Sequence, residues 1–291
     1  MIYDLPPKLW TPPAIIMPTK HNLKNSSFFA PALAPNLSMR MDPVIKRLGL
    51  KSGLKLILDA GDSSSYASGQ SWLDRSGGGY DFFLGATSGS EASDPTFNGT
   101  AGTIGAYWSF DGGDYFKYDS ANETWMENLH KDNAKFSIAT WIYIGTAATV
   151  QYFCGNAGSA AGHTGIRFGY TASNQSLLEI LNNGANPLAQ FTTATFGAGA
   201  WTFLGISLDE AVGANGLLMQ INSTQETYTS TYTSPASGAS SFTLEIASRG
   251  NASLPLTNTS RMAAFCMWES AALTAAQMLA LYQATRRRFG V

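Results

Sequence analysis

Acidic side chains could give this 291-residue chain hydrolytic chemistry, and their spacing decides whether they can act together. Cleavage of a glycosidic bond takes two carboxylates that face each other across the bond, roughly 5–10 Å apart. Glu123 and Glu127 have the spacing of a helix or loop, whereas Glu179 and Glu245 each stand alone in a strand-like run. We therefore expect surface roles for all four glutamates and no glycan hydrolase activity.

Histidine and cysteine residues provide no clear nucleophilic site. A serine or cysteine nucleophile needs a histidine base within hydrogen-bond reach, and the chain has only His21, His130 and His163. His163 lies in a glycine-rich loop that lacks the lysine and serine pair of a phosphate-binding loop. Cys154 and Cys266 lie in apolar runs, which predicts small buried thiols. The sequence thus predicts a protein that is not an enzyme.

Asp111 and Asp114 are the best candidates for metal ligands. They enclose two glycines in an Asp-Gly-Gly-Asp sequence. Calcium prefers clustered carboxylate and carbonyl oxygens, so this pair is a candidate calcium site. The same four residues also suit a tight turn, in which aspartate bonds to its own backbone and glycine takes a positive φ. Both interpretations stay open, and the sequence requires no other cofactor.

Short alternating runs in the rest of the chain predict the strands that must position these residues. Residues 54–59 and 242–246 place apolar side chains at every second position, as expected for strands with one buried face. Residues 137–144 and 149–154 are rich in β-branched and aromatic residues. Asn-Gly turns at residues 98–99, 183–184 and 215–216 separate such runs. This pattern predicts an all-β, antiparallel two-sheet sandwich.

One helix is predicted near the C-terminus. Thr274 can cap it with Gln277 three residues later, and Leu273 and Met278 occupy the positions of a hydrophobic staple. Three arginines follow the helix, where positive charge complements the helix dipole. Because successive arginines point in different directions, they could also contact an acidic partner; these residues are Arg286, Arg287 and Arg288.

The N-terminal segment differs in composition from the rest of the chain. Residues 1–53 contain eight of the twelve prolines and seven basic against two acidic residues, a net charge of +5, whereas the whole chain has −2. So many prolines predict an extended segment without regular helix or central strand. Apolar side chains recur between the prolines, and docking on another protein or on the chain's own domain would bury them; the candidates for anchoring a partner are Trp10, Ile15, Ile16, Met17, Phe28 and Phe29.

Other features limit the setting in which the chain works. Asp4 and the prolines interrupt the N-terminus before an apolar signal-peptide core can form, which predicts no secretory signal. The uncharged run at residues 137–166 contains glycines, amides and threonines, which favours strands over a membrane span. A net charge of −2 does not indicate nucleic-acid binding. Charged residues make up only 13% of the chain, so an uncharged polar exterior is expected.

Six sequence blocks, in the same order, resemble the laminin-G-like, concanavalin A-like jelly-roll family across residues 53–291. They include GLKLILDA at 53–60, WLDRSGGG at 72–79, WSFDGGDYF at 108–116, FSIATW at 136–141, WTFLGIS at 201–207, and RMAAFCMW at 261–268 followed by LTAAQ at 273–277. The chain departs from the family pattern at Ser223, where a glycine is usual after LMQIN. The resemblance implies a jelly-roll sandwich at 53–291 behind an extended arm at 1–52.

The same resemblance implies a search for aromatic rings that could stack on a sugar, because many members of this fold are lectins. Trp141 and Trp201 belong to strand motifs and are expected in the core. Rings expected on exposed loops are those of Tyr80, Trp125, Tyr170, Tyr228 and Tyr232.

A basic proline-rich arm joined to such a sandwich resembles virion proteins of tailed bacteriophages. This implies a structural protein, assembled in the host cytoplasm, that is anchored by its arm to other capsid or tail proteins and displays a domain for host-surface glycans. Several copies per particle are expected, with a homotrimer as one arrangement. The alternative is a capsid decoration protein that binds no sugar, and an extracellular glycan hydrolase is a more distant one.

Overall fold

The computed structural model describes residues 39–146, 149–158 and 161–291. The arm residues Trp10, Ile15, Ile16, Met17, Phe28 and Phe29 therefore lie outside the described residues. These described ranges contain three α-helices, α1 (Met41–Arg47), α2 (Thr124–Glu127) and α3 (Ala275–Thr285). The strands, in chain order, are β1 (Leu54–Asp59), β2 (Ser71–Trp72), β3 (Phe82–Leu84), β4 (Thr96–Asn98), β5 (Tyr107–Ser109), β6 (Phe116–Tyr118), β7 (Lys135–Tyr143), β8 (Gln151–Gly155), β9 (Gly165–Tyr170), β10 (Gln175–Asn182), β11 (Ala185–Thr195), β12 (Trp201–Asp209), β13 (Leu217–Ile221), β14 (Thr224–Tyr228), β15 (Glu245–Ile246) and β16 (Arg261–Glu269).

These strands form two eight-stranded antiparallel sheets. Sheet A has the order β14-β13-β12-β7-β16-β5-β4, with β1 also pairing with β16, and sheet B has the order β11-β10-β9-β8-β15-β6-β3-β2. The inner faces of the two sheets share one apolar core that includes Trp72, Trp108, Phe136 and Phe168. The predicted all-β sandwich with a short C-terminal helix is confirmed.

Local sequence explains several of these elements. β1 has the predicted bounds, and the hairpin between β10 and β11 turns at Asn183 and Gly184, whose φ angles are 50° and 82°. A type I′ turn, which is common in two-residue hairpin loops, requires positive φ at both central residues. The predicted strand at 242–246 is shorter than expected, because only Glu245 and Ile246 pair in the sheet.

Two helices cover the outer face of sheet A. Side chains of α1 and α3 pack with Trp141, Phe203 and Trp268, which point away from the core between the sheets. α3 begins as predicted, because Thr274 and Gln277 form a capping box. Trp141 is therefore buried as expected, but in a second apolar layer rather than between the sheets.

Part of the predicted arm belongs to this outer layer. Met41, Val44 and Ile45 of α1 and the following Leu50 are buried against sheet A. Pro43 lies in the first turn of α1, where its missing N–H is not needed for a helical hydrogen bond. The expectation of an extended segment thus does not hold for residues 41–50, which are helix and turn. In the described residues, no helix has both the length and the apolar character needed to cross a bilayer.

Two of the four glutamates expected at the surface, Glu179 and Glu245, are buried and hydrogen-bonded. Glu179 is buried, accepts a hydrogen bond from Tyr152 Oη at 2.9 Å, and pairs with Arg167 Nη2 at 3.1 Å. Glu245 is also buried and accepts the backbone N–H of Ala252. Strand alternation alone does not show whether neighbouring side chains and loops cover the outer face of a sheet. The expectation that Glu179 and Glu245 are exposed to solvent was therefore wrong.

Candidate functional site

A polar pocket of about 320 Å³ lies at one end of sheet A, where β4, β5 and the start of β16 meet. The strand register places Thr96, Ser109 and Arg261 side by side, and Tyr143 follows on β7. The adjoining partners Trp108, Met262 and Ile142 belong to the core between the sheets. Because side chains alternate along a strand, the row from Thr96 to Tyr143 lies on the outer face of sheet A.

Arg261 is held by two aromatic rings in this row. Its guanidinium carbon lies 4.8 Å from the ring centroid of Tyr107 and 4.5 Å from that of Tyr143. Trp201 lies beside both rings, with centroids 5.9 Å from Tyr107 and 6.0 Å from Tyr143. Contacts of a guanidinium with aromatic faces are attractive and fix its position. The pocket therefore has a positioned cation next to half-buried aromatic rings.

The turn at residues 111–114 forms another wall of the pocket. The backbone N–H of Asp111 donates to Asp114 Oδ2 at 2.9 Å, and the N–H of Gly113 donates to Asp111 Oδ1 at 2.8 Å. Gly112 has a φ of 104°, which favours glycine because a side chain would be strained there. Asp111 is exposed at the mouth, whereas Asp114 is buried.

Burial changes the acidity of Asp114. Desolvation of the charged form raises the pKa of this carboxyl to about 7, and the negative charges of Asp111 and Asp94 add to the effect, although the Asp111 N–H opposes it. Near neutral pH the group is therefore divided between its protonated and ionised forms. A protonated carboxyl can donate a hydrogen bond that a carboxylate cannot.

A third wall comes from the loop before β16. Asn258 and Thr259 line the pocket, and the loop is fixed to the residue after β5 by the N–H of Thr259, which donates to the carbonyl of Phe110 at 3.2 Å. Thr259 has a φ of 71°, a strained conformation for a β-branched residue. Such strain persists only where surrounding contacts impose it, and it is found most often at functional sites.

The calcium interpretation can be compared with these contacts. Within the described part of the chain, no group of three or more His, Cys, Asp or Glu side chains could hold a metal ion. Asp111 and Asp114 supply fewer donors than the six to eight oxygens that calcium takes, and both carboxylates bond to the backbone of their own turn. The contacts support the turn interpretation, and calcium binding stays a prediction.

The aromatic rings selected from the sequence do not gather in this pocket. Trp125, Tyr170 and Tyr232 were expected to be exposed, but all three are buried. Tyr170 ends β9 and points inward, where its Oη donates to Gln151 Oε1, and Tyr232 Oη donates to the carbonyl of Lys131. Tyr80 is half-buried and packs against Trp125, with ring centroids 5.4 Å apart.

Tyr228 has its hydroxyl engaged by the protein. Its Oη donates to Glu226 and accepts the backbone N–H of Thr193 at 3.3 Å. The ring is half-buried at the edge strand β14 and packs against the core. Like Tyr80, it does not line the pocket at β4, β5 and β16.

The three C-terminal arginines separate into two environments. Arg286 and Arg287 are exposed and line a shallow groove with Tyr282. Arg288 is buried, and its Nη1 lies 2.7 Å from Asp59 Oδ1. Arg288 therefore forms an internal ion pair and is not accessible to a partner. The expectation that it contacts an acidic partner is corrected for this residue. Contact of Arg286 and Arg287 with a partner stays a prediction.

Sequence reasoning identified Asp111 and Asp114 but missed the other main groups of the pocket. Tyr107 and Arg261 begin their strands, and Trp201, which was expected in the core, is half-buried beside the rings of Tyr107 and Tyr143. One signal was available, since Arg261 is a cation followed by a run of seven apolar residues in the same strand. Which strands lie beside it could not be read from that signal.

This chain was compared with family models, with curated proteins and with solved structures. No family model matches the chain, and no curated protein matches it by sequence. Solved structures do match. The Trypanosoma rangeli sialidase in complex with sialic acid has a TM-score of 0.53 at 12% identity, covering 82% of this chain and 34% of the sialidase. The chain therefore spans about a third of that protein's length.

Two further structures are similar over most of this chain. Domain 4 of AbnA, an extracellular GH43 arabinanase from Geobacillus stearothermophilus in complex with arabinotriose, has a TM-score of 0.53 at 16% identity, covering 80% of this chain and 99% of that domain. The binding domain of botulinum neurotoxin DC in complex with SialylT has a TM-score of 0.55 at 12% identity, covering 81% of this chain and 52% of that one. At such identities the likeness establishes a shared β-sandwich fold.

Proposed function

We propose that this chain is a non-enzymatic carbohydrate-binding protein and that its pocket at β4, β5 and β16 holds the sugar. The observation that carries the proposal is the combination, in one pocket, of the half-buried ring of Tyr107, a positioned arginine and several amide, hydroxyl and carboxyl groups. Sugars present C–H faces that pack on aromatic rings and hydroxyls that pair with such polar groups.

The pocket residues divide these tasks. Tyr107 offers the apolar surface for one face of a sugar ring, while Asn98 and Asn258 offer amides and Asp111 offers an exposed carboxylate. Asn98 is already oriented, because its Nδ2 donates to Thr96 O and to Ser109 Oγ, each at 2.8 Å. A polar side chain that is fixed before binding loses less entropy when the ligand arrives.

The solved neighbours support a sugar-binding proposal. Those three structures are complexes with sialic acid, arabinotriose and SialylT. These ligands belong to proteins only 12–16% identical to this chain, so they indicate a class of ligand and not a particular sugar.

The position of the two pocket carboxylates favours binding of a sugar without its hydrolysis. Asp111 and Asp114 line the pocket from one four-residue turn, and the backbone of the first bonds to the side chain of the second. A glycosidase of the usual kind needs two carboxyl groups on opposite sides of the scissile bond. Two acids on the same wall suit hydroxyl recognition better than acid–base catalysis.

We further propose that the protein is part of a bacteriophage virion and that its arm anchors it to a capsid or tail protein. The support is compositional, since residues 1–53 combine eight prolines, a net charge of +5 and recurring large apolar side chains. Several copies per particle, including a homotrimer, belong to this proposal. Deletion of residues 1–38 tests it, because the deletion leaves the packed helix α1 in place. Loss of particle incorporation with retained folding supports anchoring, and normal incorporation contradicts it.

Sugar binding is tested by a glycan array probed with the full chain, followed by titration of any hit. Replacement of Tyr107 by alanine should reduce affinity at least about tenfold, since stacking on an aromatic ring is lost. Phe191 on β11 is an exposed aromatic residue that does not line the pocket, so Phe191→Ala is the matched control. If no glycan binds, or if Tyr107→Ala and the control bind alike, the pocket is not the sugar site and the architectural alternative is favoured.

A further inference from the structure

We infer that the sugar held in this pocket carries a carboxylate, which pairs with the guanidinium of Arg261. The inference rests on the proposed carbohydrate binding and specifies its ligand class. It follows from the way in which Arg261 is held and from the charges that surround it.

The side chain of Arg261 is positioned without the use of a carboxylate. Its contacts are with the rings of Tyr107 and Tyr143, at 4.8 and 4.5 Å from the guanidinium carbon. Within the described residues, no Asp or Glu oxygen lies within 4.0 Å of its guanidinium nitrogens. A guanidinium that stacks on aromatic rings keeps N–H donors at its edge, and their fork matches the two oxygens of a carboxylate.

The two acids of the pocket accept backbone hydrogen bonds within their own turn, and neither forms an ion pair with Arg261. Asp114 accepts the N–H of Asp111, and Asp111 accepts the N–H of Gly113. Burial also raises the pKa of Asp114 to about 7, so this wall carries less than two full negative charges at neutral pH. The positive charge of Arg261 is therefore only partly offset within the pocket.

The groups next to Arg261 suit the rest of such a sugar. Ser109 is its direct neighbour in the strand register, and Thr96 is the next residue in the same row. Both are uncharged and can bond hydroxyls beside the carboxylate. A neutral sugar would instead leave the charge of Arg261 only partly offset, and its charged N–H donors would have no carboxylate partner.

Matched pairs of ligands test this inference on the full chain. Each pair consists of an acidic monosaccharide glycoside, such as one of glucuronic, galacturonic or N-acetylneuraminic acid, and its methyl ester, which keeps the shape and removes the charge. We expect at least one acid to bind roughly tenfold more tightly than its ester, the size expected for a charge-assisted hydrogen bond. The Arg261→Met variant should lose this preference, and Arg261→Lys should keep part of it.

Arg75→Met removes the same charge at an exposed residue that does not line the pocket, and it should keep the preference of the wild type. Equal binding of acid and ester by the wild type would overturn the acidic-sugar inference but leave sugar binding intact. A preference that persists in a folded Arg261→Met variant would remove Arg261 from the interaction and also overturn the inference. Failure of every acid, ester and neutral glycan to bind would overturn the proposed function itself.

Discussion

At the scale of single residues, Arg261 and Asp114 give the pocket its character. One is a cation positioned by two tyrosine rings, and the other is a buried carboxyl whose hydrogen bond closes a turn. Residue type alone would not single out either group. Their environments, aromatic in one case and desolvated in the other, decide what each can offer to a ligand.

Replacement of Asp114 by asparagine should change the pH dependence of stability. Because the pKa of Asp114 is raised to about 7, the native state keeps a proton that the unfolded chain releases near pH 4. Asp114 therefore stabilises the fold fully below about pH 4, and this contribution is lost as pH rises to about 7. In Asp114→Asn that loss is absent, so urea unfolding should show a smaller decline in free energy across this range.

Asp132→Asn, which removes an exposed carboxylate outside the pocket, is the control for the change in charge. The free energy of unfolding is compared at several pH values between 4 and 8 for the three proteins. If Asp114→Asn and the wild type decline in parallel, the native carboxyl is ionised throughout and the argument from burial fails.

At the scale of elements, small residues on the outer face of sheet A admit helix α3. A Cβ atom built at Gly205 in β12 would lie 2.7 Å from Met278 Sδ in α3. Ala139, which pairs with Gly205 across the sheet, belongs to the same apolar layer. The helix can therefore approach the sheet closely only because these side chains are small or absent.

A Gly205→Val substitution should destabilise the protein by about 1–3 kcal/mol, because an overpacked helix–sheet contact must shift. Ala189→Val is the matched control, since Ala189 is exposed on the edge strand β11 and valine suits a strand. Chemical denaturation measures both variants. An unfolding midpoint for Gly205→Val equal to that of the control would show that α3 is not packed against β12 as described.

Elements marked by local sequence patterns could be predicted from the sequence, whereas features that depend on pairing between distant segments could not. Alternation located β1 and the capping box located α3, since both are local patterns. Burial of Tyr170 could not be predicted, because a glycine-rich run gave no sign that β9 continues to that residue and turns it inward. The pocket was missed for a related reason, since register between strands far apart in sequence brings Thr96 beside Ser109 and Arg261.

At the scale of the whole molecule, one buried ion pair ties together distant parts of the chain. Asp59 in β1 lies 2.7 Å from Nη1 of Arg288 and accepts the backbone N–H of Met41 at 2.8 Å. The start of helix α1, strand β1 and the C-terminal turn thus meet at one carboxylate. This arrangement fixes the start of helix α1 against β1 and the C-terminal turn.

Replacement of Arg288 by methionine should cost about 3–5 kcal/mol, because Asp59 would remain as a buried charge without its cation. Arg287→Met is the matched control, since Arg287 is the exposed neighbour. Thermal and urea unfolding measure the loss. The Asp59→Asn/Arg288→Met double variant should recover part of it, whereas a loss no larger than that of the control would contradict a buried pair.

The central claim, that the pocket at β4, β5 and β16 binds a sugar, is tested most directly by isothermal titration of the full chain with glycans selected on an array. Saturable binding by the wild type that weakens at least about tenfold in Tyr107→Ala and persists in Phe191→Ala is the predicted result. Heats indistinguishable from dilution for every glycan, or equal affinities in the two variants, would contradict the claim.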